Sequence, residues 1–181
     1  MTVKEVNPNI RCLEYRQDEN DKDYGSCLYA RFYFNLDRYE LTIISDCGNY
    51  GYKWYEGKET FLHLMARVDS GYLINKIYGS ANVFDYEATK ENIKEYYEYV
   101  DEDEKLDKVF EFIEEDYIPE TAEYFVQKFE DVCQMYEFDC DNTWDCVKYT
   151  YPSDVIKICQ VFENYIKPKL EELEDGTFNN G

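Results

Sequence analysis

Three runs of alternating apolar and polar residues, separated by turn-forming clusters, constrain this chain more than any other feature. From Cys27 to Phe34, residues Leu28, Ala30, Phe32 and Phe34 point one way and Tyr29, Arg31 and Tyr33 the other, the period of a half-buried strand. Tyr39 to Ser45 repeats the pattern with Tyr39, Leu41 and Ile43 on one side, and Tyr50, Tyr52 and Trp54 continue it. Asn35 to Arg38 and Cys47-Gly48-Asn49 supply the turns, because Gly and Asn tolerate positive φ. The economical arrangement is a three-stranded antiparallel meander behind a polar arm that ends in the charged run at residues 18–23. Helices from about Glu59 to Val68 and from Tyr72 to Ile77 follow, with Gly71 and Gly79 as punctuation.

The second half has the period and the capping residues of helices. Thr89 is placed to cap a helix running to Val100, Pro119 to occupy a first helical position, and Ser153 to cap a last long helix. Pro168 should kink or end that helix near Lys167. With no internal repeat and no Pro- or Ser-rich linker, the expectation is an α+β fold in one compact unit. Residues 1–84 form its meander with short helices, and 85–181 its acidic helical half.

Charge divides these halves. The net charge of −21 breaks into −2 over residues 1–84, −13 over 85–131 and −6 over 132–181. With 20 Tyr, 11 Phe and 2 Trp the chain is too aromatic for a disordered acidic tail, so the carboxylates belong to a packed fold. Such a field repels nucleic acid and anionic membrane and attracts basic protein surfaces. Direct DNA or RNA binding is therefore not expected.

The acids are concentrated on helical faces. Over Asp103–Asp116, Leu106, Val109, Phe110 and Ile113 make an apolar stripe, while Glu104, Asp107, Glu111, Glu114 and Glu115 gather within about 100° on another side. In the preceding helix Ile93, Tyr96, Tyr97 and Val100 form the apolar side, with Glu91, Glu95 and Glu98 opposite. Asp101, Glu102 and Asp103 form an acidic hinge, and antiparallel packing about it would put both acidic stripes on a common exterior. Carboxylates three to four residues apart recur about every 5 Å along a helix. A DNA strand presents a phosphate about every 3.4 Å. A surface built to grip DNA with Arg would accept this face through bidentate carboxylate pairs. Tyr99 and Tyr117, near the helix ends, are candidate anchors. A solvated helix face is the competing reading, but general solubility would spread the charge instead of gathering it in one half.

Other chemistry finds little support. His63, the single histidine, lies among Phe61, Leu62, Leu64 and Met65 without a nucleophile motif, and reads as structural. The seven cysteines are odd in number and scattered, as expected of free thiols; Cys133, Cys140 and Cys146 lack zinc spacing. Glu137 to Asn142 begins like a calcium loop but lacks the sixth-position glycine, and Lys148 stands where the bidentate Glu belongs. No P-loop, Rossmann glycine pattern or G-x-S-x-G is present, so neither an enzyme nor a cofactor is expected. Met1 to Ile10 has no apolar signal core, and no apolar run is long enough to span a bilayer, so a cytoplasmic location is expected.

One segment carries a resemblance. Leu41-Thr42-Ile43-Ile44-Ser45-Asp46 leads into Gly48-Asn49-Tyr50-Gly51-Tyr52-Lys53-Trp54; Phe61-Leu62 and Leu64 follow, then Tyr72-Leu73-Ile74-Asn75-Lys76-Ile77. This pattern, within residues 26–78, resembles proteins of phages and mobile elements of Gram-positive bacteria, a group that includes anti-CRISPR inhibitors of type II nucleases. The resemblance implies a protein of the bacterial host cytoplasm that binds a type II CRISPR nuclease with its guide RNA. Such a nuclease has a basic DNA channel and reads its adjacent motif through arginines. The expected interface is Glu91, Glu95, Glu98, Asp101, Glu102, Asp103, Glu104, Asp107, Glu111, Glu114 and Glu115, acting as a DNA-mimicking face. A phage structural or accessory protein that docks a basic partner without inhibiting it is the alternative, and a carboxylate metalloenzyme is a third.

Overall fold

The alternating runs pair into an antiparallel sheet in the computed structural model, which describes residues 3, 5–20, 24–98 and 103–178, with backbone alone for Asp103 and for residues 175–178. The sheet order is β1 (Ile10–Arg16), β2 (Tyr29–Asn35), β3 (Glu40–Ser45), β4 (Gly48–Lys53). Along the chain follow α1 (Phe61–Arg67), α2 (Ser70–Ile77), β5 (Val83–Phe84), α3 (Tyr86–Tyr96) and α4 (Asp103–Asp116). Then come α5 (Ala122–Met135), α6 (Thr143–Cys146), β6 (Tyr149–Thr150), α7 (Ser153–Val161) and α8 (Lys167–Phe178). The fold is α+β, and two compact units divide it: residues 1–80 with 153–181, and residues 81–152.

In the first unit the register sets Phe32 opposite Ile43 and Phe34 opposite Leu41, all four buried on one face. Each such side chain contributes about 1.5–3 kcal/mol by leaving water. The meander has a fourth strand. Residues 10–16, assigned to a polar arm from sequence, pair with β2 along their whole length, from Ile10 opposite Asn35 to Arg16 opposite Tyr29. Only Leu13 and Tyr15 of this edge strand are even half-buried, so its alternation is weak. Its cross-strand partners, Glu14 with Arg31 at 2.6 Å among them, come from elsewhere in the chain. Leu28 precedes β2 and is exposed, and Tyr39 lies in the β2–β3 turn with φ 55°, its ring 5.3 Å from Phe61.

Local capping begins the two short helices. Thr60 Oγ1 accepts from the His63 N–H at 3.2 Å, and Asp69 Oδ1 from the Tyr72 N–H at 2.7 Å. The C-terminal helices belong with the sheet and not with the acidic half: Phe162 lies 6.1 Å from Phe32, and Val155, Ile158 and Leu170 are fully buried. A charge step marks composition and says nothing of which apolar face a helix covers. Pro168 does not end the last helix. A π turn over Phe162–Ile166 precedes it, with the Lys167 N–H donating to Phe162 O, and the helix continues to Phe178. The wider turn accommodates the ring, which would otherwise collide with the carbonyl four residues back.

The second unit closes at its ends by pairing β5 with β6. Asp85, not Thr89, caps α3, accepting from the Ala88 N–H at 3.0 Å. Thr89 is buried inside the helix, where its hydroxyl accepts from the Lys148 N–H at 2.9 Å. Thr121 caps α5, so Pro119 stays in the connection before it. The core runs through Ile93, Val109, Phe110, Ile113, Phe125 and Phe129, with Phe110 and Phe125 each about 5.5 Å from Phe129.

Candidate docking surface

Helix α4 buries Leu106, Val109, Phe110 and Ile113, as the stripe requires, and leaves Glu104, Asp107, Glu111, Glu114 and Glu115 exposed. On α3, Ile93 and Tyr97 are buried and Glu91, Glu95 and Glu98 exposed. Tyr96, placed on the apolar side from sequence, is half exposed and packs edge-on against Tyr97 at 4.9 Å. The buried row runs through Tyr86, Thr89, Ile93 and Tyr97 instead, one helical step to the side. Asp101, Glu102, Tyr99 and Val100 lie outside the described residues, as does the side chain of Asp103.

The acidic row is not uniform. Lys94 reaches across to Asp107 at 2.7 Å and Lys90 to Glu114 at 2.5 Å, and both ammonium groups sit over the Phe110 ring, 5.9 and 5.5 Å from its centre. The Tyr86 hydroxyl donates to the same Glu114 oxygen at 3.0 Å. The Lys90 hydrogen bond, with help from Tyr86, holds the Glu114 carboxyl below its ordinary range. Asp107 and Glu114 therefore lock α4 to α3. Glu104, Glu111 and Glu115 remain outward, with rises of about 10 Å and 6 Å between them, so the even 5 Å repeat drawn from all five is broken.

Two of the unit's other four lysines are also used internally, while Lys108 and Lys148 are exposed. Lys128 is buried; it donates to Asp116 Oδ2 and Tyr117 O, both at 2.9 Å, and lies 3.4 Å from Ile113 O, closing the carbonyl end of α4. Lys105 donates to Glu137 O at 3.1 Å. Residues 81–152 carry 22 acids and 6 bases, a net of −16, while the remaining 109 residues carry 18 and 13, a net of −5. Among the described residues of this unit every Asp and Glu except Asp85 is exposed. Exposed with them are Tyr117, Tyr124 and Trp144, the last between Asp141 and Asp145. Sequence reasoning marked Tyr117 but missed Tyr124 and Trp144, because an aromatic beside apolar neighbours reads as core. The flanking acids were the available signal.

In the first unit a groove is lined by Asn9, Arg11, Asp37, Lys58, His63 and Glu174 among others. His63 is held at 2.6 Å from Glu174 through Nδ1 and 3.6 Å from Glu59 through Nε2. Two hydroxyls of that groove already have structural work: Thr60 caps α1, and Tyr39 donates to Glu59 O.

These features define a two-unit α+β protein whose helical unit spends four of its six lysines on internal contacts and exposes most of its carboxylates. Residues 1–172 match the family model Phage_phiTE_072, a phage family, and the chain belongs to it. No curated protein and no solved structure matches the chain. Among the described residues no helix is long and apolar enough to cross a membrane.

Proposed function

We propose that this phage-family protein is a stoichiometric, non-catalytic inhibitor that docks a basic, DNA-binding protein surface through the exterior of residues 81–152. The observation that carries this reading is the inward use of Lys90, Lys94, Lys105 and Lys128, which leaves Glu91, Glu95, Glu98, Glu104, Glu111 and Glu115 outward, with no ion pair among the described residues. Carboxylates so placed suit Arg side chains that otherwise hold phosphates, and Tyr117, Tyr124 and Trp144 add anchoring area. The particular partner, a type II CRISPR nuclease loaded with its guide RNA in the host cytoplasm, is supported by the resemblance within residues 26–78.

The test is co-purification with a guide-loaded type II nuclease together with a target-cleavage assay. Wild type should bind, weaken as salt rises and suppress cleavage; the Glu104→Lys, Glu111→Lys, Glu115→Lys triple variant should keep its fold and lose both activities. Undiminished inhibition by the triple variant would sink the docking face. Binding without suppressed cleavage would replace inhibition with the accessory role of a phage protein that only docks a basic partner.

A further inference from the structure

The tight β3–β4 connection carries the adjacent Asp46 and Cys47 up to Cys27, about twenty residues away along the chain. Pairing of Ala30 with Ser45 sets the Asp46-Cys47 turn against the start of β2. Cys47 Sγ lies 3.2 Å from Ser26 O, and Cys27 Sγ lies 3.8 Å from Asp46 Oδ1. The two sulfurs and a carboxylate oxygen of Asp46 are all within 4.8 Å of one another. The frame is well braced. Gly48 has φ 105°, where an added Cβ would come 2.8 Å from the Tyr50 hydroxyl; that hydroxyl donates to Cys47 O at 2.8 Å, and Ser45 Oγ to Gly48 O at 2.6 Å. Both cysteines are buried and Asp46 is exposed, which leaves one side open to solvent.

We propose that Cys27, Asp46 and Cys47 form a zinc site, with two thiolate ligands and one carboxylate oxygen, and a fourth position open on the solvent side. Two sulfurs select a borderline-soft divalent ion over magnesium or calcium, which take oxygen ligands. A tetrahedral zinc with bonds of about 2.3 Å to sulfur and 2.0 Å to oxygen has ligand–ligand edges of about 3.5–3.8 Å. The Cys27 Sγ to Asp46 Oδ1 edge, at 3.8 Å, is within about 0.3 Å of the S···O value, and since all three atoms lie within 4.8 Å no edge needs to shorten by more than about 1.3 Å. The Leu28 and Tyr29 N–H groups, at 2.8 and 3.2 Å from the Asp46 carboxylate, supply the outer support that orients a ligating carboxylate. Burial raises the pKa of both thiols above the ordinary range, so they stay protonated until a cation displaces their protons. No C-x₂₋₄-C pair announces this site, because strand pairing supplies the proximity.

The experiment uses the full chain, reduced and stripped of metal, titrated with Co²⁺ and then Zn²⁺. One Co²⁺ per chain should bring a thiolate-to-metal charge-transfer band and tetrahedral visible bands, both abolished by one equivalent of Zn²⁺. Cys27→Ala and Cys47→Ala should lose the charge-transfer band, Asp46→Asn should weaken binding about 10- to 100-fold, and Cys133→Ala should change nothing. X-ray absorption of the zinc-loaded wild type, which needs no variant to fold, should show two sulfurs at about 2.3 Å with oxygen completing the shell. A zinc shell without sulfur, absence of the charge-transfer band in reduced wild type, or its loss only in Cys133→Ala would each overturn the site.

Discussion

In the sheet unit opposite charges are paired across the surface: Glu14 lies between Arg16 and Arg31, and Glu59 pairs with Arg67. In the helical unit four of six lysines serve the seams and helix ends, and the carboxylates face outward. The outward row has a cost. Like-charged neighbours such as Glu91 with Glu95 and Glu111 with Glu115, four residues apart, each oppose their helix by a few tenths of a kcal/mol. The buried rings of Phe110, Phe125 and Phe129 each contribute about 1.5–3 kcal/mol in the other direction. The core therefore carries a surface that does not favour its own fold. Such a surface is the pattern that the proposed docking role predicts, and the sheet unit, with its paired charges, has no comparable row among the described residues.

The largest expected effect tests that accounting. Phe129→Ala should cost the helical unit about 3–5 kcal/mol, and Phe32→Ala a similar amount in the sheet unit. Chemical denaturation followed by helical circular dichroism reads the first change, and emission of the buried Trp54 reads the second. A cost below about 1 kcal/mol for Phe129→Ala would mean that the aromatic core is not what offsets the repulsion.

Smaller effects separate inward from outward lysines. Lys128→Met should destabilise by about 2 kcal/mol, since it strips a buried charge-assisted cap from the Tyr117 and Ile113 carbonyls, while exposed Lys108→Met should stay within about 0.5 kcal/mol. Equal costs for the two, in the same denaturation assay, would erase the distinction. Glu114→Gln is the mildest, about 0.2–1 kcal/mol after allowance for solvent screening. Because the folded state lowers the Glu114 pKa, its contribution is complete above the ordinary value of 4.5 and is lost as pH falls through the lowered one. The stability gap between wild type and Glu114→Gln should accordingly close below about pH 4.5, and a gap that widens there would contradict the Lys90 pairing.

What the sequence determined by itself is local. The stripe Leu106, Val109, Phe110, Ile113 and the bounds of α4 follow from a 3.6-residue period within one segment, and the buried faces of β2 and β3 from a period of two. The excess of acid in one stretch is likewise a property of composition. Only the tertiary structure decided the rest, because each feature joins residues distant along the chain. Strand β1 exists through its ladder with β2, and α7 and α8 cover the sheet despite following the acidic stretch. Asp107 and Glu114, at one edge of the acidic arc they share with Glu104 and Glu111, are set apart by lysines on another helix. Cys27 meets Cys47 across twenty residues because the β2–β3 register places them together. Periodicity tells which way a side chain points, and packing chooses what it meets.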